Sequence, residues 1–267
     1  MSESANENKA IHSFAILAYG ESPYIEECIQ SLLNQKTGSK IYITTPVQTD
    51  FLKNLAAKYN LPLLLNSSSS GIGSDWNFAL SKCETPYLTL AHQDDIYLPE
   101  FSASALSHKR LQESLIVFTD YSELIENRVR KFSYTQIVKR IILKPFSFSS
   151  FITSKTIKKF ILSFGSPIAC PSVTYNLVLL SDFQFSNNYS INLDWDAWLR
   201  LADKNGGFIY VKKRVVQHRL HKDSETSRGI RNQKRQKEDL LIFNSLWSKP
   251  LAKLFATLYK LSYKNYI

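Results

Sequence analysis

Three short clusters in this chain gather residues that are costly to bury: "HQDD" at 92–95, "LDWD" at 193–196 and "HRLH" at 218–221. Asp94 and Asp95 close an apolar run, and adjacent carboxylates raise each other's pKa unless a positive charge neutralises them. The pair asks for a cation. Two carboxylates with an imidazole nearby suit a hard or borderline divalent ion, Mg²⁺ or Mn²⁺, which also bridges phosphate oxygens of a bound nucleotide. A carboxylate set apart from that ion could then serve as a general base on a substrate hydroxyl. Each group also has a structural reading. Asp94 and Asp95 could occupy a solvated turn, Asp194 could cap the helix that follows it, and His218 could be a satisfied strand histidine. Asp196 reads as structural, and Trp195 and Trp198 as core or pocket wall.

The elements that must position these clusters follow a regular alternation. "HSFAILAY" reads as a strand and "SPYIEECIQSLLNQ" as a helix, with Ser22 as N-cap, Pro23 at its first position and Ile25, Cys28, Ile29, Leu32 and Leu33 on one stripe. "KIYITT", "PLLLN" and "PYLTLAHQ" are further strands, separated by helices over "TDFLKNLAAKY" and "WNFALSKC". The second of these follows the serine-rich loop "NSSSSGIGSD", with Ser74 or Asp75 as its cap. This βαβαβαβ order predicts a mainly parallel sheet covered by helices, in which ligands gather at the carboxyl ends of the strands. Asp94 and Asp95 fall at such an end. Beyond them a helix is predicted over "PEFSASALSHKRLQ", a strand pair over "LIVFTDYSELI", a less regular insertion over 128–165, a helix over "LDWDAWLRLADK", a strand over "FIYVKKRVVQHRL" and two helices from 232 onward.

With 267 residues the chain can bury a substantial core, and its formal charge of +10 is unevenly spread. Residues 128–159 carry nine Lys/Arg and no Asp/Glu, and residues 212–237 carry ten Lys/Arg against Asp223 and Glu225. Such stretches suit nucleic acid, an anionic membrane or phosphorylated substrates. No run is apolar enough to span a bilayer, and the polar start, "MSESANENKA", lacks the pattern of a secretion signal, so a cytoplasmic protein is expected. Cys28, Cys83 and Cys170 support neither a disulfide framework nor a Cys-based zinc site, and read as apolar fillers.

Five segments, in order over residues 12–227, resemble the family 2 glycosyltransferases, nucleotide-sugar-dependent inverting enzymes of the GT-A fold: "FAILAYGESPYIEECIQSLLNQ", "GIGSDWNFAL", "TLAHQDDIYLPEF", "NLDWDAWLRLA" and "HRLHKDSETS". The resemblance implies an α/β fold with a Rossmann-like, mainly parallel sheet flanked by helices and a C-terminal helical extension. It divides the chain into a disordered N-terminus at 1–11, a catalytic domain at 12–231 whose 128–165 insertion faces the acceptor, and the extension at 232–267. Asp94 matches the metal-binding aspartate of the family's DxD motif, Asp95 its acidic neighbour and Asp194 the general base. His92 stands where the family's first aspartate touches the ribose, and its neutral imidazole could still bond a ribose hydroxyl. With one negative charge fewer at the metal, His221 becomes a candidate extra ligand. Tyr19 and Gly20 lie where the family binds the nucleobase, and Asn77 and Thr45 complete the expected donor site. "ITTPVQTD" departs from the Asp-Asp-Gly-Ser type of sequence usual after the second strand.

The resemblance thus implies a metal-dependent transferase using Mn²⁺ or Mg²⁺, a nucleotide-sugar donor, foremost a UDP-sugar, and a glycan or lipid-linked acceptor. Two other classes fit the composition: a non-catalytic glycosyltransferase-like partner subunit, and a basic nucleic-acid-binding protein. The second is disfavoured, since paired aspartates on a phosphate-binding face would defeat it. In "KPLAKLFATLYKLSYK", Leu251, Leu254, Phe255, Leu258 and Leu261 share a helical stripe, with Lys253, Lys260 and Lys264 off it. That stripe either packs on the catalytic domain or, with the basic insertion, meets the inner face of the membrane as a peripheral contact.

Overall fold

The computed structural model describes residues 10–67 and 71–265. Most of the expected disordered segment, and the middle of the serine run, lie outside the described residues. Strong apolar periodicity yields the predicted alternation: β1 (His12–Leu17), α1 (Ile25–Leu33), β2 (Lys40–Thr45), α2 (Asp50–Lys58), β3 (Leu63–Leu65), α3 (Ile72–Ser81) and β4 (Tyr87–His92). A two-residue strand, β5 (Ile96–Tyr97), and α4 (Phe101–Leu106) follow the acidic turn, and β6 (Ser114–Ile125) turns back into β7 (Arg128–Arg130). Next come α5 (Tyr134–Ile142), β8 (Phe151–Ile152), α6 (Lys155–Leu162), β9 (Val173–Asn176), α7 (Leu193–Ala202) and β10 (Gly207–Arg219). The chain continues as α8 (Glu225–Arg231), α9 (Lys234–Leu246) and α10 (Lys249–Tyr259).

All ten strands join one sheet, ordered β3-β2-β1-β4-β9-β6-β10-β5, with β7 on β6 and β8 on β10. β1 pairs in parallel with β2 and β4, and β6 with β10, while β9 runs antiparallel between β4 and β6. Side chains alternate across this sheet. Phe14 and Ile16 point into a core with Ile25, Cys28 and Ile29 of α1 and Leu52 and Leu55 of α2. Ala15 points to the other face, where Leu88, Leu90 and Tyr175 meet Trp198 and Leu201 of α7. Helices on both faces make the sheet's interior dry. The carboxyl ends of β1 and β4 and the far end of β10 converge on the acidic turn.

Several local expectations are corrected. Helix α1 starts at Ile25 with Tyr24 in the cap position, and Ser22 lies outside it because its hydroxyl donates to Asp94 Oδ1 at 2.8 Å. Helix α3 begins earlier than predicted, after Gly71, which places Ser74 and Asp75 inside it. Helix α4 ends at Leu106, and residues 114–125 form one continuous strand rather than a strand pair. The 128–165 insertion is more regular than expected, holding two capped helices, with Ser133 and Ser154 accepting from Gln136 N–H and Ile157 N–H.

The tail does not stand apart from the body. Trp195 of α7 is fully buried against Phe243 of α9, Tyr259 of α10 and the small faces Ala252 and Ala256. Its indole N–H donates to Leu162 O at 2.9 Å, and that of Trp247 to Ser163 O at 2.8 Å. Close approach also governs the start of β10, where a Cβ on Gly207 would lie 1.9 Å from the Phe151 ring. Gly207→Ala should therefore cost about 1–3 kcal/mol, the usual scale of overpacking. Adding Phe151→Leu should recover part of the loss in denaturant unfolding.

Candidate functional site

The acidic turn is closed by Asp95 N–H donating to His92 O at 3.1 Å. Its two carboxylates have separate partners. Asp94 receives the Ser22 hydroxyl and lies 3.1 Å from His221 Nε2. Asp95 is buried, 3.1 Å from His218 Nδ1, and accepts Arg219 N–H at 2.8 Å. Burial pushes the Asp94 carboxyl up, but hydrogen bonds from His221 and Ser22 outweigh it and hold it below the ordinary range. Burial alone would lower the His218 imidazole, yet the Asp95 charge and hydrogen bond raise it. Each acid thus has its own imidazole.

Of the expected ligand trio of Asp94, Asp95 and His221, the structure brings Asp94 and His221 together and turns Asp95 toward His218. The repulsion inferred for two adjacent carboxylates is relieved by turning Asp95 inward, and among the described residues no three His, Cys, Asp or Glu side chains converge as a metal-holding group. What remains on the open side is one ionised carboxylate and one imidazole. That donor set fits a divalent ion of the kind held by one or two carboxylates and completed by substrate phosphates.

Arg219 joins the far ends of the chain at this point. Its Nε donates to Asp94 O at 2.8 Å and its Nη1 to Asn127 Oδ1 at 3.2 Å, while the guanidinium pairs with Glu27 and lies 4.4 Å from the Tyr24 ring centroid. Gln93 makes a second latch, accepting Tyr19 N–H at 3.0 Å and donating to Tyr19 O at 3.2 Å. The Tyr19 ring is left exposed beside Gly20, whose φ of +64° makes the turn. Arg219 and Gln93 lay within quoted segments of the sequence, yet only long-range contact reveals what they do.

The other expected donor residues are engaged with the protein itself. Thr45 Oγ1 is buried and donates to Val47 O at 2.9 Å. Asn77 clamps the backbone of Phe185, donating to its carbonyl at 2.9 Å and accepting its N–H at 2.7 Å. His92 is lowered, first by burial, so its imidazole is neutral; its ring packs on Trp76 at 5.4 Å, and Nε2 is buried without a hydrogen-bond partner.

Asp194 sits in the first turn of α7, where it accepts Trp195 N–H at 2.7 Å. The cap position belongs to Asn192, so Asp194 is not the helix cap. Burial raises its carboxyl above the ordinary range, against the opposing charges of Arg235 and Lys139. Asp196 is held by Arg200 at 2.8 Å. Lys139 of α5 acts electrostatically on both Asp194 and His218, and its ammonium lies 5.3 Å from the Tyr121 ring centroid. The sequence offered Lys139 only as one of many basic residues.

The loop before Asp194 is fastened from the tail. Glu238 of α9 accepts three consecutive backbone N–H groups, from Ser190, Ile191 and Asn192, each at 2.9 Å. Its neighbour Asp239 accepts Asn192 Nδ2 at 2.7 Å and the Tyr263 hydroxyl. Burial pushes the Asp239 carboxyl up to about 6, with Arg235 and Asn192 pulling the other way. A raised folded-state pKa means stability that is full below the unfolded value and lost as pH rises through about 6. Thermal stability should therefore fall between about pH 4 and pH 7 by up to about 3 kcal/mol from this group. Asp239→Asn should flatten that slope in melts across the range.

Comparison with known proteins agrees with this architecture. Residues 13–163 match the sequence model of glycosyl transferase family 2. No curated protein sequence is significantly similar to the chain. Among solved structures, residues 1–349 of S. aureus TarS align with a TM-score of 0.61 at 15% identity, covering 92% of this chain and 69% of that one. The same fragment solved with UDP-GlcNAc aligns at 0.57 and 17%, covering 92% and 70%. This chain spans 42% of the longer TarS structure. The mannosyltransferase PcManGT from Pyrobaculum calidifontis, solved with GDP-Man and Mn²⁺, aligns at 0.64 and 12%, covering 95% of this chain and 75% of that one. At such identities the likeness is one of fold, and the fold is that of the GT-A glycosyltransferases.

Proposed function

The chain belongs to glycosyl transferase family 2, and on that premise we propose an inverting transferase that moves a hexosyl group from a nucleotide-sugar to a glycan or lipid-linked acceptor. The role is in surface polysaccharide or glycoconjugate synthesis. The observation that carries this reading is a pair of differently held carboxylates: Asp94 stands 3.1 Å from His221 Nε2 just beyond the carboxyl end of β4 and is held below the ordinary range, while burial raises Asp194, in the first turn of α7, above it. A metal ligand works ionised and a general base works with a raised pKa, and the two acids divide these properties.

Asp194 takes the proton from an acceptor hydroxyl. That oxygen bonds to the anomeric carbon from the face opposite the nucleotide, the anomeric carbon–oxygen bond breaks, and its electron pair leaves on the nucleoside diphosphate, so configuration inverts. Asp94 and His221 would hold a divalent ion, Mn²⁺ or Mg²⁺, which supplies positive charge beside the departing diphosphate. Tyr19 and Gly20, at the open end of β1, take the nucleobase side of the donor. A UDP-sugar is the preferred donor, a reading supported by the TarS fragment with UDP-GlcNAc, whereas PcManGT was solved with GDP-Man.

The transfer is placed at the cytoplasmic face of a membrane. Among the described residues no helix is long and apolar enough to cross one. The stripe of α10 supports a peripheral contact, because Ala252 and Ala256 pack inward while Leu251 and Leu254 stay exposed. Two substitutions test the chemistry. Asp194→Asn should retain donor affinity by calorimetry while transfer falls by about 10² to 10⁴, the usual worth of a general base. Loss of donor binding in that variant would make Asp194 structural. Asp94→Ala should abolish divalent-dependent binding of a nucleoside diphosphate, and unchanged release of diphosphate from the donor would remove Asp94 from the site.

A further inference from the structure

Three helices of this protein leave large apolar side chains on an open face. Helix α5 buries Thr135 and Gln136 and exposes Tyr134, Ile137 and Ile141, the last at 64%. Helix α6 buries Ile161 and Leu162 together with Lys158, whose ammonium donates to Lys204 O at 3.1 Å and Gly206 O at 2.8 Å, yet leaves Ile157 and Phe160 exposed. Helix α10 buries two alanines and exposes leucines, Leu258 at 53%. Apolar side chains left together on a surface mark a site of interaction.

The three helices enclose a groove of about 500 Å³, within the range of ligand pockets. Its walls are apolar, with Ile141, Phe160, Phe164, Phe255 and Leu258 along its length and Lys139, Ser166 and Tyr259 also lining it. Tyr259 ties this lining to α7, the helix that bears Asp194. The Tyr259 ring packs on Trp195 at 5.7 Å, next to Asp194, and its hydroxyl accepts Ser166 N–H at 3.3 Å. Gly165, at φ +137°, lets that ring approach, since a Cβ there would lie 2.5 Å from it. Lys139 acts on Asp194, and among the described residues no carboxylate forms a salt bridge with it. Arg140, Lys144, Lys155, Lys159, Lys253 and Lys260 lie on the same helices and the segments that flank them.

We propose that this groove binds the hydrocarbon chain of a lipid-diphosphate-linked acceptor, with its diphosphate against Lys139 and its sugar hydroxyl presented to Asp194. The inference rests on the transferase reading and deepens it. A free sugar would leave the groove empty, and a soluble glycan would have no use for an apolar channel ending at a cation. An apolar wall with Lys139 on its lining instead matches a hydrocarbon chain that carries an anionic head. The groove thereby selects lipid-borne acceptors over free glycans of the same sugar.

Calorimetric titration with farnesyl diphosphate, a monomeric probe carrying chain and charge without the sugar, tests the assignment. Saturable one-to-one binding is expected. Leu258→Glu and Phe160→Glu, both at exposed positions, should each weaken it about tenfold or more, as expected for a charge placed against an apolar ligand. UDP binding by those two variants should stay unchanged. Lys139→Gln should weaken farnesyl diphosphate while leaving farnesol unaffected. Absence of farnesyl diphosphate binding in protein that still binds UDP overturns the groove assignment and leaves the transferase reading standing. Binding only to phosphatidylglycerol vesicles, lost in Leu258→Glu, would make the surface a bilayer contact and also overturns it. Failure to bind UDP or any nucleotide-sugar removes the transferase reading itself.

Discussion

The end of β10 closing on the turn after β4 is the contact on which the site depends. Asp95 is buried between His218 and the Arg219 backbone, and Arg219 in turn grips the Asp94 carbonyl. A buried carboxylate without such partners would be severely penalised, so the interior charge is stable only when strands more than a hundred residues apart are correctly registered. With Asp95 satisfied inside, Asp94 is directed outward with Ser22 and His221 and keeps its charge. One acid serves the architecture and its neighbour faces the open side.

Around that contact the remaining parts arrange themselves by who holds whom. Asp194 is raised by burial, but the surrounding positive groups come from elements distant in sequence, Lys139 from α5 and Arg235 from α9. The insertion and the tail thus both supply charge to the first turn of α7. Asp196, two residues further on, is paired with Arg200 and has a local task. Position on the helix decides which of the two acids is available.

What the sequence made legible was whatever is encoded locally. The period of β1 to β4, the apolar stripe of α1 and the acidic turn at a strand end follow from short-range pattern, and ordered segments carried the family resemblance. Partner choice was not legible. Nothing near Asp95 states that His218 will take it, and Thr45 and Asn77 read as donor ligands until the backbone of Val47 and Phe185 is seen to engage them. The insertion read as irregular for a different reason: α5 buries Thr135 and Gln136 and leaves Ile137 and Ile141 exposed, so an expectation of an inward-facing apolar stripe finds no match there. Glu238 was invisible because a glutamate in a charged helix is ordinarily solvated.

The three amides gathered by Glu238 also impose an order of events on the newborn protein. Chains fold as they leave the ribosome, earlier segments first. The sheet strands through β10 and the helix bearing Asp194 are complete while the loop at 190–192 still lacks its anchor, which is encoded 46–48 residues later. A nascent chain therefore carries every residue of the site before it can hold them in place. The loop ahead of Asp194 is thus fastened only once α9 has been made and has docked.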